Sequence, residues 1–430
     1  MAVPPYFRTY ICKNHAKKMT DCAIYFGYYK SNYYKYNNYN YDYLKNNYYI
    51  IEYLEVNMDN NPFVIGADIP IELFCDREAE VELLQKHIAN GRNVVLSSPR
   101  RLGKSGLIHH LFKQSKIKKN YATFFVDIYA TKSIEEFIYE FSKAVQKEQA
   151  QQKKWYERFF EIVSTLRFAF KLDSNTGEPS FELKLGEIKT PQKTLDEIFD
   201  YLESEKRPCV VAIDEFQQIV EYEDTSVEAL LRTKIQQCNN TRFIFAGSRQ
   251  HLLNEMFYSR NKPFYQSAVS MNLDAIPVDV YCEFAKRMFA LKGKAVEDDV
   301  VREAYSLFDG TTWFVQMLMN ELFALTPENG VCPQEFLDVA LQNIILMQDM
   351  QYKDMFAMFS SKQKMLLLAI AQEGVAREVT SGAFVAKYGL SSPSSVQASL
   401  KGLKNKLVLA EENGTYRLSD YFFAYWLKQR

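Results

Sequence analysis

The stretch that most limits how this chain folds is Val94-Val95-Leu96, followed at once by Ser97-Ser98-Pro99-Arg100-Arg101-Leu102-Gly103-Lys104-Ser105. A short apolar strand, a tight loop and a helix carrying Leu107, Ile108 and Leu111 succeed one another without a spare residue. The loop follows the GxxxxGK[ST] pattern, with Ser98 where the first glycine would stand. Backbone N–H groups in such a loop and in the first helical turn point at phosphate oxygens. The expected binding residues are Ser98, Pro99, Arg100, Arg101, Leu102, Gly103, Lys104, Ser105 and Gly106. Lys104 is expected to neutralise the β- and γ-phosphates of ATP, and the Ser105 hydroxyl to ligate Mg2+. Arg100 and Arg101 are given a secondary part, on phosphate or paired with acids under the loop. Alone, a Gly-Lys-Ser tripeptide could be a chance helix start.

A second pattern argues against chance. Cys209-Val210-Val211-Ala212-Ile213 is an apolar strand that ends in Asp214-Glu215, about 110 residues beyond the loop. Asp214 is expected to hold Mg2+, and Glu215 to orient or deprotonate the attacking water. A third strand, Phe243-Ile244-Phe245-Ala246, runs into Gly247-Ser248-Arg249. Ser248 fits a polar sensor beside the γ-phosphate, or equally a hydroxyl capping the helix at 250–256.

These runs, together with 121–128, alternate with helical stretches, which predicts an α/β fold with a parallel sheet. Asp76 is the expected N-cap of a helix that buries Val81, Leu84 and Ile88. Within an insertion at about 165–190, apolar alternation on either side of Asp173-Ser174-Asn175-Thr176-Gly177 reads as a β-hairpin. From 279 to 356 the pattern is mostly helical. In 357–430, a helix opening at Ser392-Pro393 precedes two strand-like runs about Asn413-Gly414, which together read as a winged helix.

Residues 1–57 stand apart, with 14 of the 29 tyrosines and no apolar period. They are expected to be disordered or not native, with Met58 as the biological start; the other reading is a stacking tail. The net charge of −1 excludes a wholly basic nucleic-acid coat and an acidic solvating chain. No run of 18 uncharged apolar residues occurs, so no membrane span is expected. Seven scattered cysteines without a CxxC pair point to reduced thiols and a cytoplasmic location.

Taken together, Ser98-Pro99-Arg100-Arg101-Leu102-Gly103-Lys104-Ser105, Ile213-Asp214-Glu215-Phe216-Gln217, Ala246-Gly247-Ser248 and Lys262-Pro263-Phe264-Tyr265 resemble the AAA+ ATPases. The nearest likeness is to the archaeal-and-bacterial ATPase family related to origin-recognition proteins and STAND-type switch NTPases. The terminal stretch from Tyr416 to Leu427 carries the same likeness. The resemblance covers about 61–430 and implies a five-stranded parallel core at 58–278, a helical lid at 279–356 and a winged helix at 357–430. It also implies ATP and Mg2+. Two positions depart from the pattern. Gln266 and Ser267 stand where relatives often carry a finger arginine, with Arg260 or Lys262 as substitutes, and Gly310-Thr311-Thr312 lacks the proline of a Gly-x-Pro lid.

Two functions follow. One is an Mg2+-dependent ATPase acting as a nucleotide-driven switch, its winged helix on duplex DNA: 361–430 holds ten Lys/Arg against five Asp/Glu. The other is a nucleotide-dependent scaffold with slow or no hydrolysis, bound to a second copy or another protein.

Overall fold

The computed structural model describes residues 61–66, 68–149, 163, 168–172, 179–183, 188–412 and 414–430. The tyrosine-rich leader, the polar turn expected at 173–177 and Asn413 lie outside the described residues.

Helix α1 (Glu78–Ala89) leads into β1 (Val94–Ser97), α2 (Lys104–Lys113), α3 (Ser115–Asn120), β2 (Ala122–Asp127) and α4 (Ile134–Gln149). Strands β3 (Phe168–Leu172) and β4 (Pro179–Leu183) pair antiparallel, with Phe170 opposite Phe181. Then come α5 (Pro191–Ser204), β5 (Cys209–Asp214), a 3-10 turn (Phe216–Glu221), α6 (Val227–Gln237), β6 (Thr241–Gly247), α7 (Gln250–Tyr258) and β7 (Val269–Asn272).

Five of these strands form one parallel sheet in the order β2-β5-β6-β1-β7. Successive residues point to opposite faces, and both faces are covered, which is why the strands read as unbroken apolar runs. Val94, Leu96, Val210, Ala212, Ile244 and Ala246 pack against Leu84, Leu107, Ile108 and Leu111 of α1 and α2. Val95, Val211, Ile213, Phe243 and Phe245 pack on the other side against α4, α5 and α7. Each fully buried Leu or Ile contributes about 2 kcal/mol of transfer free energy. Strand β7 was not singled out in the sequence: it has four residues, of which only Met271 is fully buried, and it lies on the sheet edge.

The N-terminus of α1 departs from expectation. Its cap is Arg77, not Asp76, and no side chain caps it. Asp76 and Arg77 both take positive φ, at 56° and 79°. A tertiary anchor overrides the local cap: the buried Arg77 guanidinium donates to Glu80 and to the Asp274 carbonyl, both at 2.6 Å.

Helices α8 (Val278–Ala290), α9 (Asp298–Ser306), α10 (Thr312–Leu325), α11 (Phe336–Met347) and α12 (Asp349–Ala357) follow, with β8 (Ala295–Val296) parallel to β9 (Val331–Cys332). The chain ends with α13 (Ser361–Glu373), β10 (Ala376–Arg377), α14 (Gly382–Lys387), α15 (Pro393–Asn405), β11 (Leu409–Glu412), β12 (Thr415–Leu418) and α16 (Tyr421–Lys428). Ser392 caps α15 through the Ser395 N–H, with Pro393 at the first position. The three-stranded wing, β10-β12-β11, includes a short strand that the sequence pattern did not suggest.

One hydrophobic core runs through α8 to α16 without a break. Phe308 and Phe314 meet Tyr421 and Phe422 with ring centroids 5.0–5.6 Å apart. Asp309, in the turn before α10, accepts from Arg417 at 2.9 Å and from Tyr421 at 2.8 Å. No helix among the described residues is long and apolar enough to cross a membrane.

A buried pair inside this core makes stability depend on pH. Glu321 faces Asn343, whose amide donates at 2.7 Å, and burial pushes the Glu321 carboxyl above its ordinary range. An acid whose folded pKa is raised binds its proton more tightly when folded, so its contribution is lost as pH climbs through the folded pKa. Glu321→Gln keeps an acceptor for Asn343 without the charge. The variant should melt above the wild type at pH 8, and the gain should vanish near pH 4, measured by thermal unfolding of the full chain.

Candidate functional site

The site lies at the C-terminal ends of β1, β5 and β6, where the order of strands places three loops side by side. The turn after β1 enters α2 through Gly103, at φ 93° in the left-handed region that glycine adopts freely. Arg101 also takes positive φ, at 67°. Ser98 does not, so this loop accepts a Cβ where the general pattern has its first glycine. Ser98 is fully buried, and its hydroxyl donates to the Pro99 carbonyl at 3.0 Å.

Lys104 is buried and lies back across the loop. Its ammonium donates to the Ser98 carbonyl at 3.0 Å, and to the Ser98 hydroxyl and Pro99 carbonyl at 3.2 Å. Burial lowers its pKa, and the nearby Glu215 and Asp214 carboxylates oppose that shift. Leu102 is buried, and Gly106 sits in the first turn of α2.

The Ser105 hydroxyl donates directly to Asp214 Oδ2. The two residues are brought together by β1 and β5, across one intervening strand. Burial pushes the Asp214 carboxyl up. The Ser105 hydrogen bond pulls it down; Glu215 and Asp127 raise it further, and Lys104 lowers it. Asp127 was passed over in the sequence. It ends β2 and pairs in register with Asp214, so an acid at the tip of the neighbouring strand was the available signal.

Glu215 leaves β5 at φ 55°, which turns its side chain toward β6. The Ser248 hydroxyl donates to Glu215 Oε2 at 2.8 Å, and the Gln217 amide donates to the same oxygen. Ser248 makes no cap for α7, whose first-turn flank is Arg249 without a side-chain cap. Arg100 approaches Ser248, with Nε 3.4 Å from its hydroxyl.

Arg101 points away from this cluster. Its guanidinium stacks 4.5 Å from the ring centroids of both Trp313 and Phe314, and donates to Asp420 at 3.1 Å. Its carbonyl accepts from the Trp313 N–H at 3.0 Å. Asp420 is the N-cap of α16. The adjacent histidines of α2 pack against rings, His109 on Phe125 and His110 on Phe74. Lys262 pairs with Glu255 at 3.3 Å, and Arg260 is exposed.

A parallel sheet with a loop of this form after one strand and an acidic pair at the end of another defines a P-loop ATPase fold. The chain matches the family described as an ATPase domain predominantly from Archaea over residues 74–318, more than half its length. It belongs to that family and is an ATP-binding, ATP-hydrolysing enzyme. Residues 350–429 match a probable winged helix domain. A Walker-type ATPase of Pyrococcus abyssi shares the fold at 20% identity and a TM-score of 0.59, over 85% of this chain and 99% of that one. The ORC2 protein of Aeropyrum pernix, solved as ADPNP–ADP complexes, shares it at 13% identity and a TM-score of 0.52, over 86% and 96%. A search of curated proteins finds no significant match.

Proposed function

We propose that this protein is an Mg2+-dependent ATPase that works as a nucleotide-driven switch, with its core at 58–278, lid at 279–356 and winged helix at 357–430. The donor set suits the metal: Ser105 and Asp214 offer only oxygens, already within hydrogen-bond contact. Bound there, Mg2+ would supply charge neutralisation to the phosphates. Lys104 turns its three N–H bonds from the loop carbonyls to the β- and γ-phosphates. Glu215 orients the attacking water and takes its proton. Ser248, on the neighbouring strand tip, senses the γ-phosphate. Ser98, Pro99, Arg100, Leu102, Gly103 and Gly106 shape and line the loop.

Arg101 carries the switch reading. It belongs to the phosphate loop by sequence, yet its side chain ends on α10 and on the cap of α16. A phosphate that shifts this loop therefore pulls on the body formed by α8 to α16. Trp313 reports the contact. ATP should change tryptophan emission of the full chain, and the change should disappear in Trp313→Phe and shrink at least severalfold in Arg101→Ala. An unchanged response in Arg101→Ala would remove the basis for the switch.

On the partner side, the exposed Lys401 of α15, the exposed Lys406 at its C-cap and the net charge of 361–430 support duplex DNA. A second reading has its own support: Lys404 is tied to Glu411, and Glu378 and Glu412 add acid to the wing. That arrangement favours a protein partner, another molecule or a second copy of this chain. Binding of the full chain to duplex DNA that weakens steeply with salt, and is lost in Lys401→Glu with Lys406→Glu, selects DNA. Binding without salt dependence selects the protein partner. The unpaired Cys209, Cys282 and Cys332 support a cytoplasmic location.

A further inference from the structure

We propose that Gln217 is a positioning residue for Glu215, and that Gly247 is kept without a side chain so that Gln217 can reach it. This inference rests on the catalytic reading of Glu215 given above.

Gln217 lies in the 3-10 turn after β5, two residues beyond Glu215, and is 1% exposed. A glutamine this deep is a cost unless its amide is used. Its Nε2 donates to Glu215 Oε2. Its Oε1 has no hydrogen-bond partner. A Cβ built on Gly247 would lie 2.0 Å from that Oε1 and 3.1 Å from the amide carbon, much deeper into the amide than into its other close neighbour, Leu253 Cδ1, at 2.9 Å. The amide therefore occupies the space that any other residue at 247 would fill. Gly247 does not have positive φ, so backbone conformation does not explain the glycine there.

The next residue on that strand tip, Ser248, donates to the same Glu215 Oε2 at 2.8 Å. One oxygen of the carboxylate is thus held from two directions, by β5's own turn and by the tip of β6. Among the described residues nothing donates to Oε1 of Glu215, which is left to act on water. Glu215 starts from a positive φ, a conformation that is strained in a non-glycine residue. Two donors on one oxygen keep the side chain from relaxing out of it. Gln217 touches neither ATP nor the water in this scheme; it acts through Glu215.

The test uses the full chain with Gln217→Met, which fills the same volume and donates nothing. Its kcat for ATP should fall by about tenfold to a hundredfold, with the nucleotide dissociation constant and melting temperature close to wild type. Gly247→Ala should lower kcat in the same way, by displacing the amide. The kcat of the double variant Gly247→Ala/Gln217→Ala should be no lower than that of Gln217→Ala alone, because the displaced amide is gone, while its melting temperature reports the remaining contact of the new methyl with Leu253. Glu215→Gln is measured beside them. If Glu215→Gln is inactive while Gln217→Met turns over within twofold of wild type, the positioning role is overturned and the catalytic reading stands. If Gln217→Met loses nucleotide affinity and thermal stability together with kcat, its role is structural and the inference is likewise overturned. If Glu215→Gln turns over like wild type, both fall.

Discussion

Lys104→Ala should leave the protein folded and unable to bind ATP at any practical concentration. The ammonium is the one buried cation among the described residues of the loop, and its three donors all face loop oxygens within 3.2 Å. Alanine removes both the charge and the donors. Each hydrogen bond to a charged group is worth about 1.5–3 kcal/mol, so affinity should drop by at least about a hundredfold. Calorimetric titration of the full chain with ATP measures this directly. The loop carbonyls that lose Lys104 can be rehydrated, so the melting temperature should change little. Affinity within a few-fold of wild type would mean that the loop does not cradle phosphates.

Glu215→Gln should separate binding from turnover. Glutamine has the same shape, and its carbonyl can accept from Ser248 and Gln217 as Oε2 of the carboxylate does. The strained turn after β5 should therefore persist, and ATP affinity should stay within a few-fold. What is lost is the proton acceptor. Loss of a positioned general base lowers turnover by about a hundredfold to ten-thousandfold. Single-turnover phosphate release, with affinity measured in parallel, gives both quantities. Phosphate release at the wild-type rate would exclude Glu215 as the base.

The central strands were legible because both of their faces are buried, so β1, β5 and β6 stand out as apolar runs. The loop and acidic pair were legible because each sits directly at a strand end. What could not be read was set by contacts across the chain. Strand β7 is short, polar at Ser270 and Asn272, and exists by pairing with β1. Asp76 has the chemistry of a cap, but Arg77 is drawn inward by the Asp274 carbonyl nearly 200 residues away. Arg101 was expected near phosphate or an acid under the loop. Its acid is Asp420, in the last turn before the final helix, and no local pattern announces so distant a partner. Ser248 has the chemistry of either of two local roles; its hydroxyl is given to Glu215 across strands and not to the first turn of α7.

The unbroken core from α8 to α16 has a bearing on how such a protein can be dissected. Trp426, Phe422 and Leu427 at the C-terminal end share their core with residues as early as Phe63. A cut near residue 357 would strand two raw, oily faces, each prone to clump with its like. Exchanging residues 357–430 alone would meet the same barrier, so that stretch and α8 to α12 behave as one packed unit.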